Sequence, residues 1–409
     1  MQTYQQNIIS ILLLFITISS LAQQNKPELD SLFGLTAKQE GKELVSTYIK
    51  IAELSSKDHP EQSIYYLQKA INIAGKNNYK NILVGAKVSL GNIYYQNQEY
   101  SEALSILKDL LKNHNTSNSL KGEILVKIGD SYARQGIHQK SSDYYSRALE
   151  IYKTGNKYIK LAKTYNKLAD NQKILGIHES ALKNHKRALN IYNKNLDTSG
   201  IAGTYNYLGS LHWRRGNYDS SEFYYNESRH LRTLTKDTTG MIKSLNNLGL
   251  LKKNTGGYTK ALTFHEEALQ LARKSESTQE LSDIFNYIGS IYLKIRKLDS
   301  ALSYYQKSLA LREQLEDKKG IGKSFNNIGL AYKNLEKYDS SLTYFNRSLK
   351  IREETDNESL VASTLNNIGS VYWKMGQYDQ ALKNYLKSLT IRSRIKDKKG
   401  IAESYNNIG

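Results

Sequence analysis

The apolar positions of this 409-residue chain recur with a period of forty residues. In one unit, Phe325, Ile328 and Tyr332 follow one another at the three- and four-residue spacing of one helix face. A small residue next to the isoleucine position completes the stripe, and Gly91 of the first unit lies two residues out of phase with it. The small residue returns at Gly129, Ala169, Gly209, Gly249, Gly289, Gly329, Gly369 and Gly409. A fixed period of this length predicts a tandem array in which each unit packs on its neighbours.

Each unit is predicted to contain two helices, which we call helix A and helix B. The stripe around Gly329 belongs to helix A, and a second stripe that contains Leu342, Phe345 and Leu349 belongs to helix B. An aspartate between the two stripes is expected to cap helix B by accepting from its free amides. The candidates are Asp219, Asp299, Asp339 and Asp379.

Small and aromatic residues alternate through the two helices in a fixed register. Helix B carries alanine or serine twelve and nineteen residues after the glycine, for example Ala261 and Ala268, and a bulky aromatic residue lies between them, as Phe345 does in its unit. This register resembles the tetratricopeptide repeat, although the period is 40 rather than 34 residues and the family's proline at the end of the second helix is missing. The resemblance implies an all-α, right-handed superhelical solenoid of tetratricopeptide helix-turn-helix repeats.

The pattern divides the chain into five parts. We expect a signal peptide at 1–22, a lead-in segment at 23–40, a degenerate capping helical pair at 41–78, eight tetratricopeptide repeats at 79–400 and the start of a further repeat at 401–409. Because this last helix A stops without a helix B to cover it, we expect the sequence to be a fragment of a longer protein.

The first residues have the features of an export signal. The apolar run at 8–18 is too short for a good membrane-spanning helix, and Ser20 and Ala22 place small residues before a plausible cleavage site at Gln23. An uncleaved membrane anchor is the alternative. We therefore expect the mature chain to be exported, on the periplasmic or extracytoplasmic side of a membrane, with membrane attachment only through a segment beyond residue 409.

Composition limits the kinds of catalytic and metal sites that the chain can contain. The absence of cysteine excludes disulfides, thiolate metal sites and cysteine nucleophiles, and no cofactor is predicted. His178 and His265 each begin a His-Glu pair, but no second histidine follows at the zinc-protease spacing. His185 and His265 are interpreted as core substitutes for the aromatic residue of helix B. We expect no catalytic activity and no metal site within this sequence.

One polar pattern remains as a candidate binding site. Asparagine lies three residues before the small residue of helix A in successive units, at Asn166, Asn206, Asn246, Asn286, Asn326 and Asn366. Helical geometry places these residues on one face with basic and aromatic side chains, which are Lys173, Trp213, Arg214, Lys253, Lys294, Lys333, Trp373 and Lys374. The similarly placed asparagine of kinesin light chain repeats contacts peptide, so the resemblance implies a ligand-binding groove. The alternative is that these amides bond between adjacent A helices and set the pitch of the array.

The predicted function is a non-catalytic scaffold that binds an extended peptide or protein segment. An asparagine side chain can pair with peptide groups whatever the ligand's sequence, and the net charge of +19 favours acidic partners. Nucleic acid is not expected, because the chain is predicted to be exported. The forty-residue form of the repeat also resembles the extracytoplasmic repeat regions of bacterial sensor histidine kinases. That resemblance implies the alternative, an extracytoplasmic sensory region of a membrane-bound histidine kinase or transcription regulator whose effector domain would follow residue 409.

Overall fold

The computed structural model describes residues 26–56, 58–113, 116–355 and 357–409, and 1–22, the predicted signal peptide, lies outside them. The described residues contain α-helices and turns and no strand. They form two compact units that divide between Leu196 and Asp197. No described helix combines the length and the apolar character that crossing a membrane requires.

The first unit contains nine described helices. The predicted lead-in is itself mostly helical, as α1, with Leu32 buried. The bounds are α1 Lys26–Thr36, α2 Gly41–Ser55, α3 Pro60–Lys76, α4 Lys80–Gln96, α5 Tyr100–Asn113, α6 Asn118–Arg134, α7 His138–Thr154, α8 Tyr158–Ile174 and α9 His178–Lys194. The predicted capping pair corresponds to α2 and α3, and from α4 onward even-numbered helices are A and odd-numbered helices are B.

The second unit, which we call unit 2, begins at Asp197 and repeats the A–B alternation without interruption. Its helices are α10 Thr198–Arg214, α11 Tyr218–Leu234, α12 Thr238–Asn254, α13 Tyr258–Lys274, α14 Thr278–Lys294, α15 Leu298–Gln314, α16 Lys318–Asn334, α17 Tyr338–Glu354, α18 Glu358–Lys374, α19 Tyr378–Arg394 and α20 Lys398–Ile408. Within each unit the fold is therefore a tandem stack of helix pairs, as the sequence predicted.

Short turns with a left-handed central residue reverse the chain between helices. After α16, Glu336 has φ +60°. The amide of Lys337 then donates to the carbonyl of Tyr332 at 3.0 Å, and the amide of Glu336 donates to the carbonyl of Lys333 at 3.1 Å. This pair of bonds is the Schellman motif, which satisfies the last free carbonyls of a helix while turning the chain. The next helix can therefore begin only four residues after the previous one ends.

The aspartates expected to cap helix B do not do so. Helix α17 begins at Tyr338, so Asp339 lies inside its first turn, and Lys337 at the N-cap makes no side-chain capping bond. The same prediction is wrong for Asp219, Asp299 and Asp379, which also lie within first turns. The capping aspartates belong to helix A instead: Asp197, Asp237, Asp317 and Asp397 accept from glycine amides three residues later at 2.8–3.0 Å.

The glycine of helix A meets the aromatic ring of helix B directly. A Cβ built on Gly329 would lie 2.8 Å from Cδ1 of Phe345, whose side chain is fully buried. Gly289 and Tyr305 repeat the contact at 2.8 Å. The small residue is thus required by the close approach of the two helices, and this explains the forty-residue glycine period.

Candidate functional site

The A helices of unit 2 carry the predicted asparagines on a common face, and the structure gives these side chains partners. Asn206, Asn286, Asn326 and Asn366 each accept, through Oδ1, from Nδ2 of an asparagine in the next A helix. The donors are Asn247, Asn327, Asn367 and Asn407, and the four distances are 2.8, 2.7, 3.1 and 2.8 Å. We call these four amide pairs the asparagine ladder and each pair a rung.

The donor residues of the ladder were not assigned a role from sequence. Each follows its predicted site asparagine by forty-one residues, so Asn327 of α16 reaches Asn286 of α14. The Oδ1 atoms of Asn247, Asn327 and Asn367 accept no hydrogen bond from the described residues. The repeated Asn-Asn dipeptide was the available sequence signal, and its second residue is what joins one repeat to the next.

Asn246 departs from the ladder because a tyrosine replaces the donor in the next helix. Oδ1 of Asn246 lies 3.0 Å from Nδ1 of His265, and the ring of Tyr287 stacks on that histidine with centroids 5.3 Å apart. Burial lowers the pKa of His265 to about 3, with a smaller contribution from the Lys253 ammonium. The ring is therefore neutral at pH 7 and fills an aromatic core position, as predicted.

Two lysines of the predicted site cross from one A helix to the next. Nζ of Lys253 donates to Oγ of Ser290 at 3.2 Å, and Nζ of Lys333 donates to Oγ of Ser370 at 3.3 Å. Burial and then the neighbouring Lys294 ammonium lower the pKa of Lys253. Neither Lys253 nor Lys333 forms an ion pair with a described carboxylate.

The remaining predicted residues of unit 2 differ in exposure. Trp373 is 52% exposed and lies beneath the ammonium of Lys374, 5.2 Å from its ring centroid. Trp213 instead packs against the buried Tyr225 and is partly a core residue. Arg214, Lys294 and Lys374 are exposed. Unit 2 therefore presents a basic face with one open indole ring.

The first unit places its predicted site residues differently. Oδ1 of the buried Asn166 lies 2.8 Å from Nδ1 of His185, and Nζ of Lys173 pairs with Asp170 at 2.5 Å. Asp130 occupies the register of Ser290 and pairs with Lys167 at 2.6 Å. Asp130 and Asp170 of the first unit thus pair with lysines of its A helices, whereas unit 2 has serine or leucine in the register of these two aspartates.

Sequence reasoning missed a buried arginine near the end of helix B. Nη1 of Arg312 donates to the carbonyl of Gly320 at 2.8 Å and to Oγ of Ser324 at 3.0 Å, both in the following A helix. Arg232, Arg352 and Arg392 make the same two kinds of contact with their following helices. The signal was present, because each arginine precedes a serine or threonine by twelve residues.

The ligand types that this face can accept follow from its donors and charges. The described residues contain no group of three His, Asp or Glu side chains that could hold a metal ion. Amide groups and ammonium groups prevail instead, and these suit a polar backbone and anionic side chains.

Solved structures with similar folds were found at low sequence identity. A Rap protein solved in complex with Competence and Sporulation Factor is 16% identical with a TM-score of 0.54, over 81% of this chain and 98% of that chain. The Rap conjugation gene regulator of plasmid pLS20, solved with a Phr peptide, is 17% identical with a TM-score of 0.54, over 80% and 94%. The apo quorum sensor NprR from B. thuringiensis is 14% identical with a TM-score of 0.56, over 91% and 99%.

Sequence comparison gives the family itself. No curated protein matches the chain. The model of the tetratricopeptide repeat matches residues 120–194, 200–275, 280–354 and 360–409, which together make up more than half of the sequence. The glycine–aromatic contacts and the A–B helix pairs are the structural expression of the same repeat. The chain therefore belongs to the tetratricopeptide repeat family.

Proposed function

We propose that the chain is a non-catalytic binding protein whose unit 2 holds an extended, acidic peptide segment across its A helices. The asparagine ladder is the observation that carries this proposal. Its internal bonds fix the amide planes of Asn327 and Asn367, while their Oδ1 atoms accept nothing from the described residues. A fixed acceptor loses little rotamer freedom when a ligand binds, which favours affinity.

The spacing of the ladder suits an extended backbone. Packed helices lie about 8–10 Å apart, and an extended chain advances about 3.3 Å per residue. One rung therefore corresponds to about three ligand residues. Contacts at this interval with backbone N–H groups would hold the ligand regardless of its side chains.

Charge supports an acidic ligand. Lys253 and Lys333 are partly buried, and their contacts across the A helices are with neutral serine hydroxyl groups. In the first unit, carboxylates at the corresponding register pair with lysines. An acidic ligand would supply in unit 2 the negative charge that the first unit supplies itself. The peptide complexes of two similar solved structures are consistent with this use of the fold.

The experiment is selection of binders from a random dodecapeptide library on the immobilised full chain. Selected peptides should be enriched in Asp and Glu. A variant with Lys253, Lys294, Lys333 and Lys374 changed to Gln should bind the selected peptides at least about tenfold more weakly by calorimetry, since several charge-assisted contacts are lost. A library that yields no enriched peptide would refute the proposal.

A matched control separates a local site from general charge attraction. Lys260, Lys350, Lys383 and Lys387 are exposed on B helices, and changing all four to Gln alters the net charge equally. This control should bind within about twofold of the wild type at 0.15 M salt, because distant exposed charges are screened. Equal losses in both variants would show that the A helices form no specific site.

We also propose that the chain is exported and that it has a sensory role ahead of an effector domain. The sequence of residues 1–22 supports export, and the repeat resemblance supports the sensory role. A peptide binder exposed outside the cytoplasm would serve either a free-standing scaffold or a sensor.

A further inference from the structure

Arg352 differs from the other buried arginines of unit 2 in its electrostatic partners. Nη2 of Arg312 donates to Oδ1 of Asp283 at 2.8 Å, and Nη2 of Arg392 lies 3.4 Å from Oε2 of Glu403. Nε of Arg232 lies 3.8 Å from a carboxylate oxygen of Asp237. Among the described residues Arg352 has no carboxylate partner.

The reason is visible in the register of the repeats. Asp283 lies twenty-nine residues before Arg312, and Glu403 lies eleven residues after Arg392. Asp237 lies five residues after Arg232. Around Arg352 these positions are occupied by Lys323, Ser363 and Asn357. The other three arginines each have an acidic residue in at least one of these positions, so, among the residues that the structure describes, the lack of a carboxylate at all three positions is specific to the repeat of Arg352.

The guanidinium of Arg352 is nevertheless buried. The residue is 6% exposed, and Nη1 donates to the carbonyl of Leu360 at 3.1 Å and to Oγ1 of Thr364 at 2.5 Å. These acceptors are neutral. Burial lowers the pKa of Arg352 to about 10. A buried charge without an anion is costly to keep, and binding of an anion removes part of that cost.

The position of Arg352 joins it to the asparagine ladder. Its Nη1 lies 3.3 Å from Oδ1 of Asn326, which is also the acceptor for Asn367. The equivalent contact of Asp283 with Arg312 shows that a carboxylate on the helix A side can reach Nη2 of an arginine in this register. Lys323, in the register of Asp283, provides a cation where an acidic residue would otherwise stand.

We propose that Arg352 forms an anion subsite, in which its guanidinium binds an acidic side chain, carboxylate or phosphoryl, of the peptide held by unit 2. This inference rests on the proposed function and assigns one anchoring position within it. The ligand anion takes the place that Asp283 takes on Arg312.

The test uses the full chain, with inorganic phosphate and acetate as probes. Thermal unfolding is followed at pH 7 in chloride, phosphate or acetate at equal ionic strength. An anion that binds the folded state raises the melting temperature in proportion to its occupancy. Phosphate also stabilises folded proteins in general. The informative quantity is therefore the rise in melting temperature of the wild type minus the rise of an Arg352→Gln variant in the same anion. A larger excess with phosphate identifies a phosphoryl site, and a larger excess with acetate identifies a carboxylate site.

Lys323→Asp is the decisive variant, because it recreates the Asp283 arrangement within the chain. In chloride, its melting temperature should be higher than that of Lys387→Asp, a control with the same change of charge. Phosphate and acetate should no longer raise its melting temperature more than they raise that of Arg352→Gln, whereas the control should keep this excess. The apparent anion affinity should fall at least about tenfold, as for loss of a hydrogen bond to a charged group. If Lys323→Asp keeps the full response, or the wild type shows no excess over Arg352→Gln, the proposal is wrong.

A second control addresses Asp356, which lies outside the described residues. Asp356→Asn should respond to anions as the wild type does, and a response that appears only in this variant would make Asp356 the partner and overturn the subsite. The two proposals fail separately. A chain that selects acidic peptides without an excess anion response refutes only the Arg352 subsite. A chain with the response that selects no peptide refutes the proposed function, and with it the peptide as the source of the anion, but not anion binding at Arg352.

Discussion

Replacing Gly329 with alanine tests the close approach of helix A and helix B. The added Cβ would lie 2.8, 2.9 and 3.1 Å from three ring atoms of Phe345, and real Cβ atoms essentially never lie within 3.0 Å of a non-bonded heavy atom from another part of the chain. Phe345 is fully buried, so its ring cannot move into solvent. Overpacking of this kind costs about 1–3 kcal/mol, while alanine in place of glycine gains about 1 kcal/mol of helix propensity. We expect a net loss of about 1 kcal/mol.

Gly203→Ala is the matched control in the same unit. A Cβ at Gly203 would meet no atom within 4 Å, so this helical substitution should stabilise by about 0.4–1 kcal/mol. The difference between the two variants isolates the steric term and should be about 1–3 kcal/mol. Urea unfolding followed by circular dichroism at 222 nm gives the two midpoints, compared at unchanged slope.

The result that would refute this reasoning is a shift of both midpoints upward by the same amount. It would mean that the Phe345 ring yields without cost and that the recurrent glycine has another cause. A second check is the Phe345→Leu background, in which the smaller side chain leaves room for the new methyl group. Gly329→Ala should be less harmful there, with a coupling of about 1 kcal/mol between the two positions.

Three further predictions concern the ladder, the buried histidine and the N-terminus. Asn286→Ala should lower the free energy of unfolding by about 1 kcal/mol, because Nδ2 of Asn327 loses its acceptor. In urea unfolding, the variant with both Asn286→Ala and Asn327→Ala should lose less stability than the sum of the two single changes. Burial lowers the folded-state pKa of His265 to about 3, so the contribution of this residue to the free energy of unfolding is complete above about pH 6.5 and is lost as pH falls toward 3. In His265→Phe the urea midpoint should therefore vary less with pH over that range. An equal pH dependence of the midpoint in the wild type and the variant would contradict this prediction. Mass spectrometry of exported protein should find Gln23 as the first residue, and an intact N-terminus would show that cleavage after Ala22 does not occur.

The helix pairs were predictable because their signals are local. Phe325, Ile328 and Gly329 lie within one turn and a half of helix, and their spacing alone defines a face. The glycine also predicted its own contact, since a small residue opposite a large one indicates close packing. The histidine interpretation succeeded for the same reason: His265 stands where other repeats have an aromatic ring.

The candidate site was predictable only in part. The sequence identified the asparagine positions, but it left open whether they bind ligand or each other. The structure shows that Asn286 and Asn326 are bonded within the protein, and ligand binding by the same face stays a prediction. The Asn326–Arg352 contact could not be anticipated, because it joins residues twenty-six apart on two helices whose relative rotation is set by packing.

The sequence by itself determined the period, the helix pairs and the places where small and large residues alternate, because each of these follows from spacing along one helix. The tertiary structure decided the start of helix B, which excludes Asp339 as a cap, and the partners of Asn327 and Arg352. Hydrogen bonds depend on distances of a few tenths of an ångström between separate helices, and a repeat period fixes register but not those distances.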